Sequence, residues 1–511
     1  MKIIKSIASV GVFTILSRVA GFVREAVMAA LIGVGPVVDA LSIAIKLPST
    51  FRRLLAEGAF NAVFVPMFSS IVSADGPEKA RTWAVEILSF LTAVLVVLVL
   101  LFEFFAEPLM QIIMPGFEEE RLQLVVYFSR ITFPFILFIS LTALYSGILN
   151  SIDRFVAAAS SPMAGNIFIV LFIWLFNKHM ETAAHTFCWG VLFSGLVQLL
   201  WVWGPSRHYG FGLIFRFPKL SLNIRQFLSR MIPGAIGSGV THINAFLGMM
   251  IASFLPKGGP SILNFADRLG QLPLSVIGTA VSTALLPLVS RQIRANDTEG
   301  AMQSQNRALE FTLILAIPST IGLICLAEPL VAVAYERRAF TPEMTYETAR
   351  TLIAFACGLP AFILIKIFTT SFFARKDTRT PMIIASISMV IDVILAFALM
   401  KPFQHVGIAM ALSIASWCTV LMLIIVLKKR GYFKLDDAFK AFAPRLGAAC
   451  FYTFVVTAFL YKGIVSYLYG SGVTRIVATV LFFCACVVIY MFFIHFTKTT
   501  SLKKLMSLST E

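Results

Sequence analysis

Apolar residues run through this chain in long blocks, each closed by a short charged or turn-rich break. A helix crossing a bilayer needs about 20 such residues. Fourteen runs qualify, at about 7–32, 38–70, 83–105, 122–149, 157–176, 186–204, 227–255, 261–290, 308–335, 346–372, 381–400, 405–427, 442–461 and 474–497. Gly21, Pro48, Pro134, Pro233, Pro273, Pro318 and Pro360 interrupt them. In transporters such breaks line cavities or make bends, because the freed backbone groups need partners that lipid cannot supply. The pattern predicts an all-α polytopic membrane protein of about 14 transmembrane helices.

The blocks also repeat. Ala106-Glu107-Pro108-Leu109 recurs as Ala327-Glu328-Pro329-Leu330, an offset of 221, and Pro66 matches Pro287 at the same offset. Pro134 matches Pro360 at 226, and Asp153 matches Asp377 at 224. Four anchors in one order predict two pseudo-repeated six-helix lobes in parallel orientation around a central cavity, with substrate held at their interface. The expected divisions are an N-lobe at 1–204, a cytoplasmic amphipathic linker at 205–226, a C-lobe at 227–430, and a basic loop with two further helices at 431–511.

Composition excludes a water-soluble globule. Of 511 residues, 58% are hydrophobic and 13% charged, against about 25% charged in soluble domains. The 48 Phe suit lipid-facing surfaces. The net charge of +16 sits largely in loops, so it reads as topology and not as nucleic-acid binding. With the N-terminus in the cytoplasm, 24 Lys and Arg fall in cytoplasmic loops and 8 outside, which predicts both termini inside. No small-residue cleavage site follows Met1-Lys2-Ile3-Ile4-Lys5, so the first helix is expected to be retained. The 7 Cys lie in apolar stretches and imply no disulfide framework, and the 6 His show no metal-ligand spacing.

Ten basic side chains lie inside or at the ends of the apolar runs: Arg18, Arg24, Lys46, Arg52, Arg53, Arg130, Arg230, Arg268, Arg350 and Lys366. A lone Arg at mid-bilayer costs roughly 2.5–3.5 kcal/mol on insertion scales. Such residues persist where they face a wet cavity, pair with an acid, or hold an anion. In the second run Asp39, Lys46, Arg53 and Glu57 fall within about 40° of one another on a helix, a stripe of alternating sign. Its members either neutralise each other or line a cavity. Arg52 projects away from the stripe and is the better ligand candidate. Arg18 and Arg24 flank Gly21 in the first run. Glu25 is not expected to neutralise Arg24, because adjacent helix residues diverge; snorkelling to an interface is the competing reading. Arg268 occupies in the second half roughly the place of the basic cluster in the first. Several Arg converging would suit a diphosphate, whose oxygens match guanidinium forks. Lys366 is a candidate of the same type. Asp392 is a candidate for Na⁺ or H⁺ coupling, against a packed and hydrogen-bonded carboxyl. No P-loop, HExxH, GxSxG or CxxC pattern is present. The expectation is therefore a secondary transporter with no cofactor and no catalytic residue, driven by Na⁺, H⁺ or the membrane potential.

Ser17-Arg18-Val19-Ala20-Gly21-Phe22-Val23-Arg24-Glu25, Asp39-Ala40, Lys46-Leu47-Pro48 and Arg52-Arg53-Leu54-Leu55-Ala56-Glu57-Gly58-Ala59-Phe60 carry a closer resemblance. Phe64-Val65-Pro66, Pro115-Gly116-Phe117, Ala266-Asp267-Arg268-Leu269 and Asp377-Thr378-Arg379-Thr380-Pro381 extend it. Together they resemble the MurJ/MviN lipid II flippases of the multidrug/oligosaccharidyl-lipid/polysaccharide exporter superfamily. The resemblance implies two six-helix lobes in a V around a cationic cavity, and a groove on the last two helices for the polyprenyl tail. It implies export of lipid-linked peptidoglycan precursor to the outer leaflet of the bacterial cytoplasmic membrane, in support of cell-wall biogenesis and cell shape. It assigns substrate binding to Arg18, Arg24, Arg52 and Arg268 and cavity support to Asp39 and Glu57; Lys46, Arg53 and Lys366 are expected to support the cavity from their places in the apolar runs. Gln271 departs from relatives that carry an acid there. The expected partners are lipid II and membrane lipids, with no nucleic acid, and the expected state is a monomer. The alternatives are a flippase for another polyprenyl-diphosphate-linked glycan and a multidrug exporter of the same fold. The excess of Arg argues against cationic drugs. A polyprenyl-phosphate transferase would need loop carboxylates, for which only Asp436-Asp437 is available.

Overall fold

The computed structural model describes residues 2–52, 58–212, 214–217, 221–468, 470 and 472–499, with backbone alone for 2–9, 58–59, 233–245, 279–280, 282–284 and 466. Among them every regular element is a helix. The helices are α1 (Lys2–Ile32), α2 (Pro36–Arg52), α3 (Gly58–Asp75), α4 (Pro77–Ile113), α5 (Glu119–Thr132), α6 (Phe135–Ser151), α7 (Phe155–Phe176) and α8 (Ala183–His208). They continue as α9 (Leu222–Ser253), α10 (Gly259–Arg294), α11 (Thr298–Cys325), α12 (Ala327–Tyr335), α13 (Pro342–Ala374), α14 (Arg379–Lys429), α15 (Asp437–Leu468) and α16 (Gly472–Phe496). Local chemistry sets several starts. Thr182, Ser221 and Asp297 cap α8, α9 and α11 by accepting the amides of His185, Ile224 and Gly300. Proline opens α4 and α13, where a missing amide costs nothing.

The apolar runs and the helices do not correspond one to one. The run at 38–70 carries α2 and α3, with residues 53–57 between them outside the described residues. The run at 122–149 is α5 and α6, bent by 40° beside Pro134. Conversely, the 51 residues of α14 would reach roughly 75 Å, more than twice a hydrocarbon core of about 30 Å. Gln404, at φ 49 and ψ −127, breaks it between two spans. Eight of the described helices are long and apolar enough to cross a membrane, and the bent α5–α6 pair makes a ninth. The chain is a multi-pass membrane protein.

The repeat is written in the backbone. Phe105 kinks α4 at φ −103 and ψ 17, and Leu326 separates α11 from α12 at φ −109 and ψ 15, each directly before its Ala-Glu-Pro-Leu. Asp153 (φ 60) and Lys376 (φ 62) take the same left-handed turn, and Gly210 (φ 88) matches Gly431 (φ 70). The turn corrects the register by one residue. Arg154 N donates to Leu149 O and Asp377 N to Phe372 O, so Asp153 corresponds to Lys376 and not to Asp377. Composition could not separate these positions, because Asp stands on either side of the turn.

The described chain divides into two compact units, Met1–Ser261 with Arg337–Phe340, and Ile262–Glu336 with Thr341–Glu511. In the first, α1 packs on α7, α7 on α8, α6 on α8, α2 on α5, and α3 on α4, α6 and α9. Its core departs from the expectation that Phe faces lipid. Phe60, Phe64 and Phe68 are buried at i, i+4 spacing and stack in a ladder at 5.2 and 5.6 Å, against Trp83 of α4. Phe227 of α9 closes the ladder at 5.3 Å from Phe60. In the second unit α13 is the enclosed helix, packed by α11, α12 and α14. Ile367, Phe368 and Phe372 meet Leu423 and Leu427 of α14 there.

Candidate functional site

The cationic residues of the first unit sit in different settings. Arg18 is exposed on α1. Arg24, on the same helix, is half-buried and held on two sides. Its Nη2 donates to Oε1 of Glu25 at 2.7 Å, and its Nη1 to Oδ1 of Asn166 on α7 at 3.1 Å. The Glu25 contact corrects the expectation that neighbours on a helix cannot pair. Their Cβ atoms diverge, but the guanidinium arm is long enough to fold back. Asn166 Nδ2 reaches Ser17 O at 3.4 Å, tying α7 to the turn of α1 below Arg24. A Cβ at Gly21 would lie 3.4 Å from Asn166 Nδ2, an ordinary van der Waals contact, so the approach does not depend on glycine there. Arg24 Nε finds no hydrogen-bond partner among the described residues. That Nε is enclosed, so the guanidinium is oriented by two partners and what it offers an anion is the 16% of the side chain left exposed.

On α2, Lys46 is exposed and Arg52 half-buried. Arg53 and Glu57, the rest of the expected stripe, lie outside the described residues. Asp39 is committed elsewhere. Its Oδ2 accepts Arg121 Nη2 at 3.0 Å and Gly258 N at 2.7 Å, and its Oδ1 accepts Ser261 N at 2.9 Å and Ser261 Oγ at 2.6 Å. Arg121 also donates to Leu255 O at 3.1 Å and lies 3.9 Å over the Phe117 ring. One buried ion pair therefore ties α2, α5 and the turn between α9 and α10 together. Sequence reasoning placed Arg121 in an outer loop, yet it is 3% exposed. Nothing local marks a charge at a helix start as buried, and its partner is 82 residues away.

In the second unit Arg268 is half-buried on α10. The neighbouring Asp267 accepts Gln271 Nε2 at 2.5 Å, so Gln271 serves as a donor one turn along. Lys366, on α13, lies against Gly278 of α10, where an added Cβ would come within 3.0 Å of its Nζ. Asp392 is half-buried on α14, one turn beyond Ser388. The Ser388 hydroxyl accepts Thr419 Oγ1 at 2.5 Å and donates to Ala415 O at 3.2 Å across the two arms of α14.

An apolar cavity of about 1250 Å³ also lies in the second unit, between α10–α12 and the α15–α16 pair. Pro273, Pro318, Leu330, Thr457, Phe482 and Tyr490 are among its walls. Proline and threonine keep helix surfaces slim there, and Tyr490 crosses to donate to Ile314 O at 2.6 Å. The α15–α16 pair is pinned at one end by Arg475, which donates to Glu336 Oε1 at 2.8 Å, and at the other by Arg307 with Asp436. The walls are almost wholly apolar, with Lys462 the charged residue among them.

Known proteins resemble this chain over most of its length. A family profile described as lipid II flippase MurJ matches residues 28–498. A probable lipid II flippase MurJ of Rhizobium meliloti is 41% identical over 87% of this chain and 84% of its own. One from Rickettsia prowazekii is 35% identical over 92% of this chain and 94% of its own. A solved structure of lipid II flippase MurJ in an inward closed conformation superimposes with a TM-score of 0.79 at 27% identity, covering 95% of this chain and 97% of that one. An inward-facing multidrug resistance MATE family transporter of the MOP superfamily reaches 0.68 at 13% identity, over 82% of this chain and 94% of that one, a likeness of fold alone. On this evidence the chain belongs to the lipid II flippase MurJ family.

Proposed function

We propose that the protein moves lipid II, an undecaprenyl-diphosphate-linked disaccharide peptide, from the inner to the outer leaflet of the bacterial cytoplasmic membrane by alternating access. The observation that carries the reading is Arg24, oriented on α1 by Asn166 and Glu25 and still partly exposed, in a chain of the lipid II flippase family. Arg18, Arg24, Arg52 and Arg268 bind the diphosphate as forked donors. Lys46, Arg53, Glu57 and Lys366 balance charge around it, and Asp39 holds the helix ends that must part and rejoin. The polyprenyl tail stays in hydrocarbon and uses the cavity between α10–α12 and α15–α16. Both termini lie in the cytoplasm, and the unit of transport is the monomer.

Resetting the cycle needs a driving force. Moving one charge through 100 mV is worth about 2.3 kcal/mol, enough to bias two states. Asp392, with Ser388 and Thr419, is the group proposed to take Na⁺ or H⁺. The test is depletion of the protein in cells, with lipid II scored by leaflet. Outer-leaflet lipid II should fall, and wild-type protein should restore it. An unchanged outer-leaflet pool after depletion overturns the reading. Full rescue by Arg268→Ala removes only the role given to Arg268.

A further inference from the structure

The connection from α8 to α9 carries apolar side chains that the protein itself leaves uncovered. Its described residues 211–212 and 214–217 form no helix. Ile214 is 68% exposed, Phe217 is 90% exposed, and Phe215 is exposed between them. Arg207, Arg216 and Arg225 lie before, among and after them in the chain and are exposed as well. Phe211 points the other way, buried 5.4 Å from the Phe68 ring. The segment is not loose. Arg81 Nη2 reaches Gly212 O at 3.4 Å, Arg216 N donates to Ser89 Oγ at 2.9 Å, and Ser221 Oγ and Asn223 Nδ2 donate to Glu86 Oε2 at 2.6 and 3.1 Å. It is a strap laid along residues 81–89 of α4.

The depth of that strap follows from α4. Its 37 residues reach about 55 Å, far beyond a hydrocarbon core of about 30 Å. No charge occurs between Glu86 and Glu103, so the core starts near Glu86 and the strap lies at its edge. A non-helical backbone cannot go deeper, because its amides and carbonyls would lose their partners. It need not be in water either, since Phe217 would then expose nearly its whole ring. At the boundary both demands are met: rings enter the acyl edge, while guanidinium groups reach phosphates.

We propose that this strap is an anchor for anionic phospholipid head groups, with Ile214, Phe215 and Phe217 seated in the acyl edge and Arg207, Arg216 and Arg225 on the phosphates. Because Ser221 caps α9 and bonds Glu86, the lipid surface also holds the start of α9 in place. The assignment rests on the multi-pass membrane fold and does not depend on lipid II being the cargo.

The test uses the full-length chain with Phe217 replaced by photoreactive p-benzoylphenylalanine. It is placed in nanodiscs of equal parts phosphatidylglycerol and phosphatidylcholine, whose two faces are alike, so that protein orientation has no effect. After irradiation, intact mass should show phospholipid adducts, with phosphatidylglycerol favoured roughly threefold or more, given about 1 kcal/mol per basic residue near an anionic surface. Arg216→Gln with Arg225→Gln should bring the two lipids toward parity while adducts persist. Equal labelling of both lipids in the unaltered strap overturns the charge assignment. Adducts within the chain, or none, overturn the anchor itself. The same probe irradiated in cells should give lipid adducts, and a protein adduct there would mean that a cytosolic partner covers the strap instead. Loss of lipid II flipping on depletion would stand under every one of these outcomes.

Discussion

Arg121 and Asp39 face each other across 3.0 Å with both side chains almost wholly enclosed. Each balances a charge that would otherwise be stranded in a low-dielectric interior. Removing one partner of such a pair costs about 3–5 kcal/mol. Asp39→Ala and Arg121→Ala should each lower thermal stability in detergent by that order. The double variant should cost less than the sum, since the second change removes a charge already orphaned. Additive losses would mean that the two residues act separately.

Ser261→Ala leaves that pair in place and removes one hydroxyl donor from Asp39 Oδ1. The expected loss is about 1.5–3 kcal/mol, the range for a hydrogen bond to a charged group. A change indistinguishable from zero in the same melting assay would argue that the Ser261 amide alone suffices.

Asn166 orients Arg24 without carrying charge. Asn166→Ala should reduce lipid II flipping roughly tenfold or more, equivalent to one hydrogen bond to a charged group, at normal abundance. Arg24→Lys should fail similarly, because an ammonium cannot use Glu25, Asn166 and a phosphate in one plane. In reconstituted vesicles, wild-type transport by Asn166→Ala would remove Asn166 from the mechanism, and wild-type transport by Arg24→Lys would remove the need for a planar fork at Arg24.

Thr457 lines the apolar cavity and is buried. Thr457→Trp should fill the space and slow transport of long-tailed lipid II more than that of a short-tailed analogue. Equal slowing of both would mean that the cavity does not hold the tail.

Asp377 lies in the turn between α13 and α14. The Thr380 hydroxyl and amide, and then Arg430, hold its carboxyl down at about 2, below the ordinary 3.8. A lowered value means that its contribution is complete above about pH 4 and is lost as pH falls toward 2. Thr380→Val should raise the titration of Asp377 and shift the acid-unfolding midpoint upward. An unmoved midpoint would show that this turn does not limit acid stability.

Some of this was legible along the chain. Burying charge or exposing apolar surface has a local, nearly additive cost, so the long apolar runs, the basic loops and the unusual Arg positions announce a membrane protein with cationic helices. The Ala-Glu-Pro-Leu repeat announces paired halves, because proline constrains the backbone wherever it occurs. Pairing carries no such signal. Arg121 finds Asp39 at a separation of 82 residues and Arg24 finds Asn166 at 142. Adjacent Arg24 and Glu25 join against the spacing rule. Phe60, Phe64 and Phe68 turn to the core although their composition suits lipid equally well. Which face of an all-apolar helix is buried, and which charge meets which, depends on the elements that pack against it, and that is decided only when distant segments come together.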